Sequence, residues 1–321
     1  MIGRGRFGAS VYLLHCMDAQ LRALLVSPCC RAPLHGDTDG LSCSVCSRSY
    51  QSSASGQPIL FPESSEVSRT EADAHYGKRR PLPVRVLRAL LRPVDLKARP
   101  TLHDRLRDEV VFGAPPGSLV LNVGSGIETF VRDARIVNFD IAPHPNTHVV
   151  GDGHHLPFAS DTFDVVWLSA VLEHVRKPWL VAEQVYEVLK PGGVVLVSVP
   201  FIQKRHGSPN DYYRYTVDGL RSLFDRFEEI EGGSSFTGPT GTVVHVLSAW
   251  MNAVFPGRLG FAVEVIAARV LSPAKYLDRL VSDASLERGI LTGGSCYYGR
   301  KPSFADGHTN GRPGGSDRSS A

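Results

Sequence analysis

Residues 119–126 read LVLNVGSG, and the organisation of the chain follows from this stretch. Leu119, Val120, Leu121 and Val123 are apolar, and Gly124, Ser125 and Gly126 end the run. An apolar run bounded by glycines reads as a buried parallel strand that stops in a tight turn. Gly124 and Gly126 permit positive φ and let the backbone approach a ligand with no Cβ between them. Downstream the pattern recurs. Residues 136–140 (IVNFD) form a second short apolar strand ending in a carboxylate, and 147–152 (THVVGD) a third that also ends in an acid. Residues 163–169 (FDVVWLS) and 193–199 (GVVLVSV) supply a fourth and a fifth. In an open parallel sheet, ligands gather beyond the carboxyl ends of the strands, near the switch in strand order. The glycine turn and the two terminal acids therefore converge there.

This succession resembles the class I S-adenosylmethionine-dependent methyltransferases. VLNVGSG (120–126) is similar to their first motif and IVNFDI (136–141) to their second. GDGHHLPFASDTFDVVWLSAVLEHV (151–175) is similar to their third and fourth, and LKPGG (189–193) to the turn entering the fifth strand. The resemblance is close over 118–200 and looser to 300. It implies an α/β fold, a seven-stranded Rossmann-like sheet over 111–302, and S-adenosyl-L-methionine as methyl donor. It further implies that Asp140 clamps two ribose hydroxyls, that Asp152 meets an adenine amino group, and that the Gly153 amide reaches a ring nitrogen. Gly124, Ser125, Gly126 and Ile141 belong to the same cofactor pocket, with Ser169 and Ala170 beside the reactive methyl. Leu156 and Phe158 either wall the adenine or belong to the core. Asn122 stands where the family more often has an acid. It still accepts a hydrogen bond but gives up the Coulomb attraction for the donor's ammonium group.

His174 follows the fourth strand, where an acceptor enters, and an imidazole suits a general base near neutral pH. A positioning role is the other reading, and Glu173 is read as structural. HGSPNDYYRYT (206–216) resembles the H-x-x-P-x-D-Y-x-R-x-T segment of the broad type 11 group. His206 is the second candidate base. Asp211, Tyr212, Tyr213 and Arg214 are candidate substrate contacts on a loop overhanging the site, where such contacts concentrate. An Asp211–Arg214 ion pair pinning that loop is the alternative. Thr216 is positioned to cap a helix over 217–224. Residues 243–280 read as an apolar helical insertion: a lid, a dimer face or a lipid contact. No acidic metal-ligand trio stands out, so catalytic magnesium is not expected.

Outside this domain, 21–63 carries Cys29, Cys30, Cys43 and Cys46. A C-x-x-C pair in an intracellular enzyme points to zinc more than to disulfides. The segment resembles short zinc-ribbon modules, with Ser27 in the first cysteine position, adjacent Cys29 and Cys30, and His35 as an alternative ligand. A relic ribbon without metal is the competing reading. Residues 1–20 read as a poorly ordered extension, 64–110 as a basic linker with helices, and 303–321 as a disordered tail. The linker's Arg85, Arg88 and Arg92 recur at helical spacing, a pattern shared by a solvated face, a membrane-surface helix and an RNA contact. A formal charge of +3 on 321 residues does not by itself argue for nucleic acid. The chain contains no run of eighteen apolar residues, and it is expected in the cytoplasm with peripheral membrane contact open. The expected reaction is methyl transfer to a small-molecule or lipid-linked acceptor. An RNA methyltransferase, by resemblance of the ribbon-plus-domain arrangement to ribosomal-RNA guanine methyltransferases, and a non-catalytic cofactor-binding scaffold are the alternatives.

Overall fold

The computed structural model describes residues 19–37, 40–65, 94–127, 133, 135–207, 210–282, 284–285 and 289–303. Most of the N-terminal extension, the arginine-rich part of the linker and the C-terminal tail lie outside the described residues. The apolar runs become the strands of one mixed sheet: β5 (Val120–Val123), β6 (Ile136–Asp140), β7 (Val149–Gly151), β8 (Phe163–Ser169) and β9 (Leu189–Pro200). These five run parallel. β10 (Glu228–Ser235) and β11 (Gly294–Arg300) complete one side, with β11 antiparallel to both of its neighbours. β5 and β6 are buried at every position, as strands covered on both faces must be.

The spatial order is β10-β11-β9-β8-β5-β6-β7-β4, where β4 is Ile59–Leu60. After β5 the chain steps outward through β6 and β7, then returns to β8 on the other side of β5. That reversal opens the crevice at the carboxyl ends of β5 and β8.

The eighth strand comes from the cysteine-rich head. β4 (Ile59–Leu60) adds in parallel to β7, with Ile59 opposite Val150 and Leu60 opposite Gly151. The remainder of the head forms a separate antiparallel sheet of β1 (Leu34–Gly36), β2 (Gly40–Cys43) and β3 (Ser49–Gln51). Leu21, Leu25, Leu41, Tyr50 and Leu60 share one hydrophobic core with Leu121, Phe139 and Phe158. Arg31 donates to the carbonyls of Leu156 and Phe158, and Gln57 to those of His144 and Thr147. The head is thus stitched along the β6–β7–β8 connections.

Leu156 and Phe158 belong to that core. Both are wholly buried, and Phe158 meets Phe139 and Phe163 edge-on at centroid distances of 5.9 and 5.1 Å. Truncating such a ring to alanine costs about 3–5 kcal/mol.

Ahead of β5, Thr101 and Asp104 form a reciprocal capping box on α1 (Leu102–Leu106), which widens into a π-turn over Arg107–Phe112. α2 (Pro178–Val188) buries Val181, Val185 and Val188 against the sheet. α3 (Val217–Leu223) starts at Thr216, whose hydroxyl accepts from the Gly219 amide. The insertion folds as α4 (Pro239–Val254), α5 (Gly257–Leu271) and a 3-10 stretch, Ser272–Leu280.

Candidate functional site

The glycine turn sits at the switch point. Gly124 and Gly126 have φ of +70° and +59°. A Cβ on Gly124 would come within 2.4 Å of Val171, whereas one on Gly126 would point into open space. Glycine is therefore needed at 124 for packing and at 126 for backbone conformation beside a ligand. Both Asp140 carboxylate oxygens are anchored, Oδ2 by the Gly126 amide at 2.8 Å and Oδ1 by the Ala142 amide at 3.0 Å. Each oxygen keeps a free lone pair, so the carboxylate is held in orientation and can still accept from a diol. The Ser125 hydroxyl beside it is buried without a hydrogen-bond partner. An oriented carboxylate, an orphaned hydroxyl and an open glycine cradle fit a ribose-bearing donor.

Asn122 is explained by a partner that sequence reading missed. Its amide donates to Asn138 Oδ1 at 2.9 Å, and Asn138 in turn donates to the Asn146 carbonyl at 3.0 Å. A carboxylate at 122 could not donate, so the amide pair between β5 and β6 accounts for the departure from an acid. The two asparagines are opposite each other in the strand register, which is the signal that could have revealed them.

Asp152 caps a 3-10 turn, Gly153–His155, and is already engaged. Ser65 donates to Oδ2 at 2.6 Å, while the His154 amide and Nδ1 reach Oδ1 at 3.0 and 2.6 Å. Burial works against the charge, but these hydrogen bonds outweigh it and hold the carboxyl below its usual range. Ser65, at the end of the head, thus touches the acid assigned by resemblance to the adenine. Ser169 ends β8, half-buried, and Ala170 after it takes a left-handed φ of +55°. Strain of this kind concentrates where a backbone must be aimed.

On the acceptor side the candidate bases come together. The His174 and His206 rings meet at a centroid distance of 5.1 Å over Glu173. The Glu173 side chain is fully buried, and neither of its oxygens has a hydrogen-bond partner. Its backbone carbonyl accepts from the Tyr212 amide at 2.7 Å, which ties the overhanging loop to the turn after β8. The Glu173 carboxylate raises the His206 pKa above the ordinary value, against partial burial.

Asp211 and Arg214 form an ion pair, with Nη2–Oδ2 at 2.7 Å, and Asp211 also accepts from the His206 amide. The pairing with Arg214 pulls the Asp211 carboxyl down to about 2. Tyr213 donates to the Arg176 carbonyl at 2.9 Å, and Tyr212 stands exposed with the Arg176 guanidinium 5.9 Å from its ring centre. Asp211 and Arg214 pin the loop, with Tyr212 exposed and Tyr213 half-buried. A cavity of about 840 Å³ lies elsewhere, along β10, and none of the donor-site residues lines it.

In the head, the sulfurs of Cys29 and Cys46 are 3.0 Å apart and those of Cys30 and Cys43 3.5 Å. Ser27 Oγ joins them, 3.0 Å from Cys29 Sγ and 2.9 Å from the Tyr50 hydroxyl. Hydrogen bonding from the Cys46 amide, opposed by burial, brings the Cys43 thiol down to about 7. A tetrahedral zinc with Zn–S of about 2.3 Å sets sulfurs about 3.8 Å apart; the sulfurs of Cys29, Cys30 and Cys46 lie within 4.8 Å of one another, and Cys43 stands against Cys30 outside that trio. His35 lies opposite Ser42 across β1 and β2 and does not join the close sulfur cluster found among the described residues. Cys296 is buried in β11 with its thiol pushed up by desolvation, a packing residue.

The Methyltransferase domain family (Methyltransf_11) matches residues 121–197. An uncharacterized methyltransferase of Mycobacterium leprae (strain TN) is 36% identical over 104 residues, covering 27% of this chain and 39% of the relative. An uncharacterized methyltransferase of Mycobacterium tuberculosis (strain H37Rv) is 34% identical over 101 residues, covering 26% and 40%. The chain therefore spans about two-fifths of the length of the curated relatives it matches. A putative methyltransferase of Bacillus halodurans C-125 superposes with a TM-score of 0.38 at 19% identity, covering 62% of this chain and 99% of that one. The matched residues run from β5 to β9 and include the glycine turn that the strand order places at the switch point.

Proposed function

We propose that the chain transfers the methyl group of S-adenosyl-L-methionine to a nucleophile on a small-molecule or lipid-linked acceptor. The observation that carries this reading is the Asp140 carboxylate, held by two backbone amides beside the unpartnered Ser125 hydroxyl. When bound, the donor supplies an electrophilic methyl on a sulfonium. The chain's own work is alignment and proton handling. Asp140 and the glycine turn hold the donor, and Ser169 and Ala170 orient the reacting end. Tyr212 and Tyr213 meet the acceptor. With no ion bound, His206 stands ready to take a proton, because the Glu173 carboxylate next to it stabilises the charged ring. His174 has a backbone-bound Nδ1 and serves to position the turn.

The lipid-linked branch is supported by the insertion. Trp250, Leu259, Phe261, Ile266 and Val270 are exposed on α4 and α5. Glu264 of α5 pairs with Lys204, which joins this apolar surface to the substrate loop. No helix among the described residues is long and apolar enough to cross a membrane, so contact would be peripheral.

The test is incubation of the full chain with radiolabelled donor and separate small-molecule, lipid and RNA extracts. Label in a small-molecule or lipid fraction is expected. Label confined to RNA would replace the acceptor class, and tight donor binding with no labelled product would favour a scaffold. For the head, we propose a structural zinc on Cys29, Cys30, Cys43 and Cys46. Elemental analysis should find about one zinc per chain in this site, lost in Cys43→Ser, with donor affinity retained.

A further inference from the structure

The buried carboxylate of Glu173 poses a problem that neither methyl transfer nor packing accounts for. Its side chain has no solvent exposure, and both oxygens lack a hydrogen-bond partner. Isolated in this way, an ionised carboxylate costs several kcal/mol. What faces it are two imidazole nitrogens, His174 Nε2 at 3.6 Å and His206 Nε2 at 3.7 Å, both directed at the same oxygen, Oε1. Neither distance is that of a hydrogen bond.

The other nitrogen of each ring decides what Nε2 can offer. His174 Nδ1 lies 2.5 Å from the Asn210 carbonyl, and His206 Nδ1 lies 3.4 Å from the Lys204 carbonyl. A carbonyl can only accept, so Nδ1 carries the proton in both rings. In the neutral imidazole, Nε2 then presents a lone pair. Two lone pairs and a carboxylate oxygen converge within 4.8 Å of one another, an arrangement that repels unless a proton on one ring or a metal cation lies between them. Histidine with Nδ1–H on a backbone carbonyl and Nε2 on an ion is also how metal-binding histidines are oriented.

We propose that Glu173, His174 and His206 form a binding site for one divalent first-row transition-metal ion. Metal–nitrogen and metal–oxygen bonds of about 2.1 Å at tetrahedral or octahedral angles place ligand atoms about 3.0–3.5 Å apart. The observed 3.6 and 3.7 Å need only a few tenths of an ångström of closure. Two imidazoles and one carboxylate suit iron, cobalt, nickel or zinc better than magnesium or calcium, which prefer oxygen. Three protein ligands leave coordination positions for water or an acceptor oxygen, the open arrangement of catalytic sites and not the closed one of structural sites. The site lies directly after β8 and under the loop that carries Tyr212 and Tyr213, where the acceptor is expected. It is separate from the cysteine cluster and does not require that the chain methylate anything.

Cobalt(II) is the probe, because its spectrum separates thiolate from nitrogen and oxygen ligands. The full chain, stripped with chelator and reduced, is titrated with cobalt chloride alongside His206→Ala and Glu173→Gln. His206 is partly exposed, so its variant tests the site without emptying a core. The wild type should bind one more cobalt per chain than His206→Ala, or bind it at least tenfold more tightly. The d–d bands of the additional cobalt should be lost in the variant, while any thiolate charge-transfer band and the d–d bands that accompany it are unchanged. Glu173→Gln should show the same loss if it remains folded by circular dichroism. Equal cobalt stoichiometry and affinity in the wild type and His206→Ala would overturn the proposal, as would a difference spectrum consisting only of thiolate bands.

Discussion

The two ends of the crevice are built on opposite plans. At the donor end, Asp140 and the Gly126 amide are 14 residues apart, and Asn122 and Asn138 are 16 apart on adjacent strands. Their polar atoms are largely satisfied by backbone or by each other before any ligand arrives. At the acceptor end, His206 reaches back to Glu173, 33 positions earlier in the chain, and the Glu173 carboxylate is left without a hydrogen bond. One end is preorganised for a ligand of fixed shape. The other holds unspent electrostatics and an adjustable loop. Binding and specificity are therefore expected to separate under mutation.

Removing the Asp140 carboxylate should have the largest effect. Asp140→Ala deletes the proposed ribose clamp and the anchors on the Gly126 and Ala142 amides, so affinity for S-adenosylhomocysteine should fall about a hundredfold or more, since each charge-assisted hydrogen bond contributes about 1.5–3 kcal/mol. Isothermal calorimetry reads this directly, and near-normal affinity would erase the contrast between the two ends. Tyr213→Ala sharpens it from the other side. Methyl transfer at saturating donor should drop about tenfold, equivalent to about 1.4 kcal/mol, while the donor dissociation constant stays within twofold. A parallel loss of donor affinity would mean that the loop belongs to both ends.

Thr216→Ala should have the smallest effect. Losing the hydroxyl that caps α3 should cost about 1 kcal/mol of stability, measured by urea unfolding, with donor affinity unchanged. Because this cap lies immediately after the loop of Asp211–Arg214, a stability loss several times larger would show that the loop and α3 unfold together.

Much of the donor end was legible in the residues. Five apolar runs, a glycine turn and terminal acids reported their own geometry, because a strand's burial and its turn are set by neighbours in sequence. Phe163–Ser169 is a strand over the very residues expected, and Val217–Leu223 a helix behind its expected cap. Other features depend on contacts between distant segments and left no local trace. Nothing in GQPILFP announces that Ile59 and Leu60 would join β7 as an eighth strand, since edge pairing is decided by the strand it meets. Leu156 and Phe158 were equally compatible with an adenine wall and with the core until their neighbours were known.

Glu173 marks the boundary most clearly. As a residue of VLEHV it read as structural, and no acidic trio was visible around it. Its two nearest partners are a neighbour whose Nδ1 is pinned by Asn210 and a histidine from beyond β9. The sequence alone determined the parallel sheet, the glycine turn and the acids that end its strands, because these follow from periodicity and from backbone conformations only glycine adopts freely. Only the tertiary structure decided that the head completes the sheet and that two imidazoles and a carboxylate converge. Those outcomes depend on which distant surfaces bury each other, and on where a charge is left with no water to solvate it.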